Sequence, residues 1–116
     1  MDYSGNILNR IEDAIINTFF WAEELGFRSE LFKLDDKNFQ CSFKKRIVQR
    51  INECLVEDKS ITLLSLKIAD ACKGGNNEIM FLDIVAQNPM TIKMAREYHA
   101  HLAMRRIEKE LNAAKR

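Results

Sequence analysis

The first hydrophobic pattern runs from about Asn6 to Gly26 and repeats at steps of three and four residues. Its apolar positions are Ile7, Leu8, Ile11, Ala14, Ile15, Phe19 and Ala22. Side chains at this spacing share one face of an α-helix. Asn6 can cap the start of the helix and Gly26 can end it, because glycine adopts left-handed backbone angles at little steric cost. Phe20, Trp21 and Leu25 widen the stripe, which predicts a helix at the centre of the core.

A second helical pattern begins at Ser42. Its apolar face is predicted to carry Phe43, Ile47, Val48, Ile51, Cys54 and Leu55. Before it, the sequence predicts a helical turn within 27–34, a turn at 35–38 and an anchor at Phe39. After a polar connection at 57–59, a third helix is predicted from Ser60 or Thr62 to Ala71. A loop at 73–77 and a short helix at 78–86 follow.

Pro89 interrupts this pattern, and the chain from about Met90 to Lys115 contains neither glycine nor proline. Strong helix formers dominate this stretch, which predicts one helix of about 25 residues and about 37 Å. Ile92, Ala95, Tyr98 and Leu102 can dock on the core. A helix of this length is long for so small a domain, so its C-terminal half is expected to project and to need a partner.

These elements predict an all-α fold in a single domain over 1–116. A compact helical head of about five helices, at about 7–88, is followed by one long C-terminal helix at about 90–115. With four glycines and one proline, the chain has few turn residues, which favours helices over a many-stranded sandwich. The apolar runs are much shorter than a membrane span, and the start of the chain lacks a secretory signal pattern. No membrane partner is expected. The chain is expected to be cytoplasmic.

Charge and candidate chemistry change this picture little. The net charge of +1 argues against nucleic acid as the main partner, because phosphate binding draws on excess cations. A local patch on the second helix is the nucleic-acid alternative, and its residues are Lys44, Lys45, Arg46 and Arg50. Cys41, Cys54 and Cys72 form no close pair and are expected to be small buried hydrophobes.

No enzymatic role is expected. His99 and His101 are about 200° apart around a helix, so they cannot share a metal ion. The Gly74-Gly75 pair lacks the strand and the Lys-Ser pair of a phosphate-binding loop. No serine or cysteine is set in an arrangement typical of a nucleophile. The sequence therefore predicts no catalytic residue, metal site or cofactor.

The order of the segments carries a family resemblance. In chain order they are Ile11–Ile16, Asn38–Phe39, Phe43–Lys45, Ile47–Leu55, Glu57–Leu66, Phe81–Ile84, Asn88–Pro89, Tyr98–His99 and Arg105–Leu111. Over roughly 7–112, this order resembles the N-terminal domain of DnaB-type replicative helicases. It is equally similar to the helicase-binding C-terminal domain of DnaG-type primases, which shares that fold. The resemblance implies a compact helical head followed by a helical hairpin.

The resemblance also implies partners. It points to the helicase-binding domain of a primase, or a phage or plasmid mimic of it, docking on the replicative helicase. The alternative is the collar of a helicase, which self-associates and binds primase. The pattern departs from the family in having one long helix where the hairpin has two. It also has neither an ATPase loop nor primase motifs.

The contact surface is expected at the far end of the last helix. Its residues are Leu102, Met104, Arg105, Ile107, Glu108 and Leu111. In this interpretation the apolar members enter a groove on the helicase, or on a second copy of the chain, and the charged members form a polar rim. A homodimer through this end is therefore a second possibility.

Overall fold

The structure, a computed structural model, describes residues 5–61 and 83–114. They contain three long helices: α1 (Gly5–Ala22), α2 (Ser42–Val56) and α3 (Ile92–Ala114). Short 3₁₀ turns span Arg28–Glu30 and Asp36–Asn38, and residues 83–86 are α-helical. The described part of the chain contains no strand, which confirms the prediction of a helical fold. The count of about five head helices is not confirmed, since the predicted helix and loop between 62 and 77 lie outside these residues.

Helix α1 is the centre of the core. Ile15, Ile16 and Phe19 have no exposed surface. Gly26 ends the helix as predicted. It has a φ of 81°, while the Gly26 N–H donates to the Glu23 carbonyl at 3.2 Å and the Phe27 N–H to the Ala22 carbonyl at 2.7 Å. This pair of bonds is the Schellman pattern, which satisfies carbonyls that the helix end leaves open.

Two side chains at the C-terminal end of α1 and in the turn after it do not widen the core as predicted. Trp21 is 41% exposed and Leu25 is 56% exposed. Trp21 lies about 200° from Phe19 around the helix, so it points to the opposite side. Leu25 lies in the turn that closes the helix, where the chain leaves the apolar face.

Helix α2 packs its predicted stripe against α1. Phe43, Ile47, Val48, Ile51 and Cys54 are buried in one cluster with the α1 residues. Cys41 precedes the helix, and its sulfur accepts the Lys44 N–H at 3.4 Å, so a side chain satisfies one of the open donors at the helix start.

The segment between α1 and α2 is held by side chains rather than by long elements. The Asn52 side chain accepts the Leu34 N–H at 3.1 Å and donates to the Leu34 carbonyl at 2.7 Å. Phe39 is buried, as its prediction as an anchor requires. The Asp35 carboxylate accepts the Lys37 N–H at 3.0 Å. This bond stabilises the turn against which α3 packs.

Helix α3 begins slightly later than predicted, at Ile92. The Thr91 hydroxyl oxygen accepts the Met94 N–H at 3.1 Å, so Thr91 acts as the cap. The connection before it is tied to α1, because the Thr18 hydroxyl oxygen accepts the Met90 N–H at 2.9 Å. None of the described helices has the length and apolar character that a membrane span needs.

Candidate interaction surface

One side of α3 is docked on the head. Ala95 and Leu102 are buried, and Tyr98 packs on the same cluster. The helix contacts α1 and the Asp36–Asn38 turn. Three of the four residues predicted to dock this helix therefore do so, and their positions define which face of α3 remains for other contacts.

His99 fastens α3 to the turn. Its ring centroid lies 5.7 Å from that of Phe32 and 6.2 Å from that of Phe39. Its Nε2 accepts the Asp35 N–H at 3.0 Å and lies 3.2 Å from the Asn38 side-chain nitrogen. Because the Asp35 backbone N–H is a donor, Nε2 carries no proton in this arrangement. His99 is therefore bound as a neutral imidazole.

Two arginines hold α3 at either side of His99. The Arg96 guanidinium stacks 4.7 Å from the centre of the Phe32 ring and donates to the Glu30 carbonyl at 3.2 Å. The Arg106 Nη2 lies 3.4 Å from the Asp35 Oδ2. These contacts set the rotation of α3 on the head.

The opposite side of α3 carries an apolar line of three exposed residues. Met104 is 59% exposed, Ile107 47% and Leu111 56%. At about 100° per residue, these side chains lie about 140–200° around the helix from Leu102. We call Met104, Ile107 and Leu111 the distal line.

This geometry corrects one predicted contact residue. Leu102 was expected beside Met104 and Ile107 in a single partner surface, but it is only 6% exposed. The angular separation places it in the core, so it stabilises the docking of α3 and meets Met104 only at the edge of a cavity that both residues line.

Acidic side chains flank the distal line. Glu108 and Glu110 are exposed and lie on opposite sides of it. Glu110 also approaches Arg106, with 3.9 Å between its Oε1 and the arginine Nη1. Arg105 is half-buried and lines one cavity with Met104 and Glu108, so the fully exposed charges beside the line are acidic.

The structure removes Lys44 from the predicted basic face of α2. Its side chain is 4% exposed, and its Nζ lies 3.0 Å from the Glu12 Oε1 and 2.9 Å from the Asp13 Oδ1. The same ammonium donates to the Asn9 side-chain oxygen at 3.3 Å. We call Lys44, Glu12 and Asp13 the buried triad. The expectation that Lys44 faces solvent was wrong, because the helix turns it toward α1.

The protonation of the buried triad reflects its burial. Loss of water raises the pKa of Glu12 and of Asp13, and the nearby ammonium of Lys44 offsets only part of that rise. Burial by itself lowers the pKa of Lys44, but the hydrogen bonds and charges of Asp13 and Glu12 outweigh it and leave the pKa raised. Two carboxyl groups thus share one ammonium in a site closed to water.

The other three members of the predicted basic face do not act together. Arg50 pairs with Glu53 at 2.8 Å on the helix surface. Arg46 is exposed beside it. Lys45 turns the other way, toward α3, where it lines a cleft with Arg105 and Arg106. The contiguous run of charges in the sequence is therefore divided over three sides of one helix.

Sequence reasoning missed Glu12, Asp13 and His99. The burial of Glu12 could have been predicted, since Glu12 lies three, four and seven residues before the buried Ile15, Ile16 and Phe19 and so shares their face of the helix. His99 gave no such signal, because its partners at 35–38 are distant in the chain.

No metal site is indicated in 5–61 and 83–114, where no group of three or more histidine, cysteine or acidic residues could hold an ion. His101 is exposed, with its ring 6.4 Å from that of Tyr98. Cys54 is buried and Cys41 is half-buried, and both are free thiols. Cys72 lies outside the described residues.

The neutral state of His99 predicts a pH dependence. Burial lowers the pKa of His99 below 6.5, and the nearby Asp35 offsets only part of that shift. Between 6.5 and the folded-state pKa, the unfolded chain binds a proton that the folded chain does not, so stability falls as pH falls. The raised pKa values of Glu12 and Asp13 act in the opposite direction.

The contribution of His99 is therefore best isolated in a variant. We expect His99→Gln to show a shallower loss of stability than wild type between pH 7 and about 5. Urea unfolding of both proteins across this range is the measurement. Parallel curves for the two proteins would contradict the assignment of a neutral, buried His99.

Comparison of the chain with protein-family models, with characterised proteins and with solved structures found no match. The described residues themselves define the class, which is a helical domain whose last helix is docked by one side and carries an exposed apolar line on the other.

Proposed function

We propose that this chain is a protein-interaction module of DNA replication, the helicase-binding domain of a primase or a mimic of it. It docks on a DnaB-type replicative helicase through the distal line. The observation that supports this proposal most strongly is the exposure of Met104, Ile107 and Leu111 in one line along α3. The order of the sequence segments, which resembles the primase and helicase domains, supports the helicase as the proposed partner.

The spacing of the distal line favours a helix as the surface it meets. Ala100 and Ala114 are also exposed and extend the line at both ends. The five positions are separated by four, three, four and three residues, which is the repeat of helices that pack side by side. A partner helix can lie along α3 here without displacing the head, because Leu102 and Ala95 face the other way.

The charges beside the distal line indicate which charges a complementary partner helix carries. Glu108 and Glu110 lie on either side of the apolar residues, so a partner with Lys or Arg beside its own apolar face is complementary. An acidic flank on the partner would oppose binding. The proposal therefore specifies an amphipathic helical surface of the helicase with basic edges.

The experiment that tests the function is size-exclusion chromatography with light scattering, with the chain alone and mixed with the replicative helicase of its own organism. A complex with the helicase supports the proposal. A tight self-dimer without a helicase complex favours the alternative, in which the distal line of one copy meets that of another as in a helicase collar. A monomer that leaves the helicase unchanged contradicts both.

A single substitution tests whether the distal line is the contact. We expect Ile107→Asp to weaken helicase binding by about 30-fold or more, because it places a charge at the centre of an apolar contact. Stability should change by less than about 1 kcal/mol, since Ile107 is 47% exposed. Isothermal titration calorimetry measures the affinity.

The matched control is Val56→Asp. Val56 is 84% exposed at the end of α2, so the same chemical change falls outside the distal line. Its affinity should stay within about twofold of wild type. Equal losses in the two variants would remove the distal line from the proposal.

A further inference from the structure

A second surface lies on the head side of α3, between α3, the N-terminus of α2 and the Asp36–Asn38 turn. It is a cleft of about 430 Å³. Cationic side chains from all three elements line it, and these are Lys37, Lys45, Arg105, Arg106 and Lys109. We call it the basic cleft. No run of the sequence contains this set, since folding assembles it from 37, 45 and 105–109.

The charge of the basic cleft is large for this protein. Its five cations face one carboxylate, Glu110, for a formal charge of +4, whereas the whole chain carries +1. Asp35 pairs with Arg106 at the edge and offsets one further charge. Within the described residues, the side chains of Lys37, Lys45 and Lys109 form no ion pair. The three lysines therefore converge without a counter-ion in this part of the chain, and such a cluster is stabilised by an anionic ligand.

The floor of the basic cleft limits what that ligand can be. Leu8, Phe39 and Leu102 form it, and they are 5%, 1% and 6% exposed. An acidic peptide would gain little from apolar anchors here, although such anchors supply most of the affinity of peptide contacts. Phe39 is also too deeply buried to stack on a base. Binding must therefore come from charge, which a chain of phosphates supplies without any apolar contact.

We propose that the basic cleft binds the phosphodiester backbone of nucleic acid, independently of base sequence. Lys45 and Lys109 contact phosphates as mobile point charges at the mouth of the cleft, and Arg105 and Arg106 contact them from the helix side. Lys109 lies about 200° around α3 from Ile107, so the cleft can be occupied while the distal line holds a protein, with Glu110 bordering both. The inference does not depend on the identity of that protein.

The test is fluorescence anisotropy of the full chain with a labelled single-stranded oligonucleotide longer than about 16 nucleotides, and with the matching duplex. Poly-glutamate of similar charge serves as the peptide probe. We expect binding to one or both nucleic acids that weakens steeply between about 50 and 200 mM salt and does not depend on sequence. The two nucleic-acid arms identify which form of the backbone fits the cleft.

Two charge reversals locate the site. Lys45→Glu and Lys109→Glu are each expected to weaken binding by about tenfold and to reduce the salt dependence by about one phosphate contact. The controls are Arg46→Glu and Lys93→Glu. Both controls reverse an exposed cation on the same two helices but outside the cleft, and their affinity should stay within about twofold.

Three results would overturn the proposal. The first is no binding of either nucleic acid at about 50 mM salt. The second is an equal loss in the cleft variants and the controls, which would indicate net charge rather than a site. The third is binding of poly-glutamate as tight as that of nucleic acid with the same sensitivity to Lys45→Glu, which would assign the cleft to an acidic peptide.

Discussion

Replacing Lys44 with methionine is expected to destabilise the protein by about 3–5 kcal/mol at pH 7. Methionine keeps an apolar stem of similar length but removes the ammonium that Glu12 and Asp13 share. Both carboxyl groups would then lie in a closed site without a counter-charge. A domain of this size has a total stability of about 5–15 kcal/mol, so the loss is a large fraction of the total. Urea unfolding followed by circular dichroism measures the change.

Arg46→Met is the control for this substitution, because the neighbouring Arg46 is exposed. It should change stability by less than about 0.5 kcal/mol. The loss in Lys44→Met should also shrink as the pH falls. Lys44 lowers the folded-state pKa of Glu12 and Asp13, so these pKa values rise further in the variant. As the pH falls, the folded variant therefore takes up protons before folded wild type does and regains stability relative to it. A loss below about 1 kcal/mol at pH 7 would contradict the buried triad.

Replacing Phe19 with alanine is expected to cost about 3–5 kcal/mol. Phe19 has no exposed surface, and its ring meets Phe32 edge to face with 5.3 Å between centroids. Phe32 in turn contacts His99 and the Arg96 guanidinium on α3. The cavity therefore removes core packing and also loosens the support on which α3 is docked. Thermal and urea unfolding measure the loss.

Phe27→Ala is the control for this substitution, because it removes the same aromatic ring from a side chain that is not buried. Phe27 follows the closing turn of α1 and is 44% exposed. Its backbone N–H, which bonds to Ala22, is retained in the variant, so we expect a cost of about 1 kcal/mol or less. Similar costs for the two phenylalanines would mean that Phe19 is not the centre of the core.

The helices could be predicted because their periodicity is local. The stripe of α1, the stop at Gly26 and the break at Pro89 each depend on residues within a few positions. Predicting which charged side chains are buried is harder. Lys44 lies three, four and seven residues before Ile47, Val48 and Ile51, so it occupies a stripe position that its charge concealed.

The candidate surfaces were predictable to different extents. The distal line follows from spacing alone, and the same angular argument would have separated Leu102 from Met104. The basic cleft does not, because Lys37, Lys45 and Lys109 meet only when α3 is docked at a particular rotation. That rotation is set by His99 and Arg106, whose partner Asp35 is remote in the chain. Tertiary contacts of this kind leave no pattern along the sequence.

In the proposed complex, the distal line is the face of the chain that meets the helicase. Methionine oxidation footprinting with peroxide tests this contact directly, because Met104 lies on the line and is 59% exposed, while Met90 precedes α3, is half-buried and lines a different cavity. Mass spectrometry follows both oxidation rates in the free chain and in the helicase complex. We predict that the complex slows the oxidation of Met104 several-fold and leaves that of Met90 unchanged. Oxidation of Met104 at its free rate in a formed complex would contradict this contact.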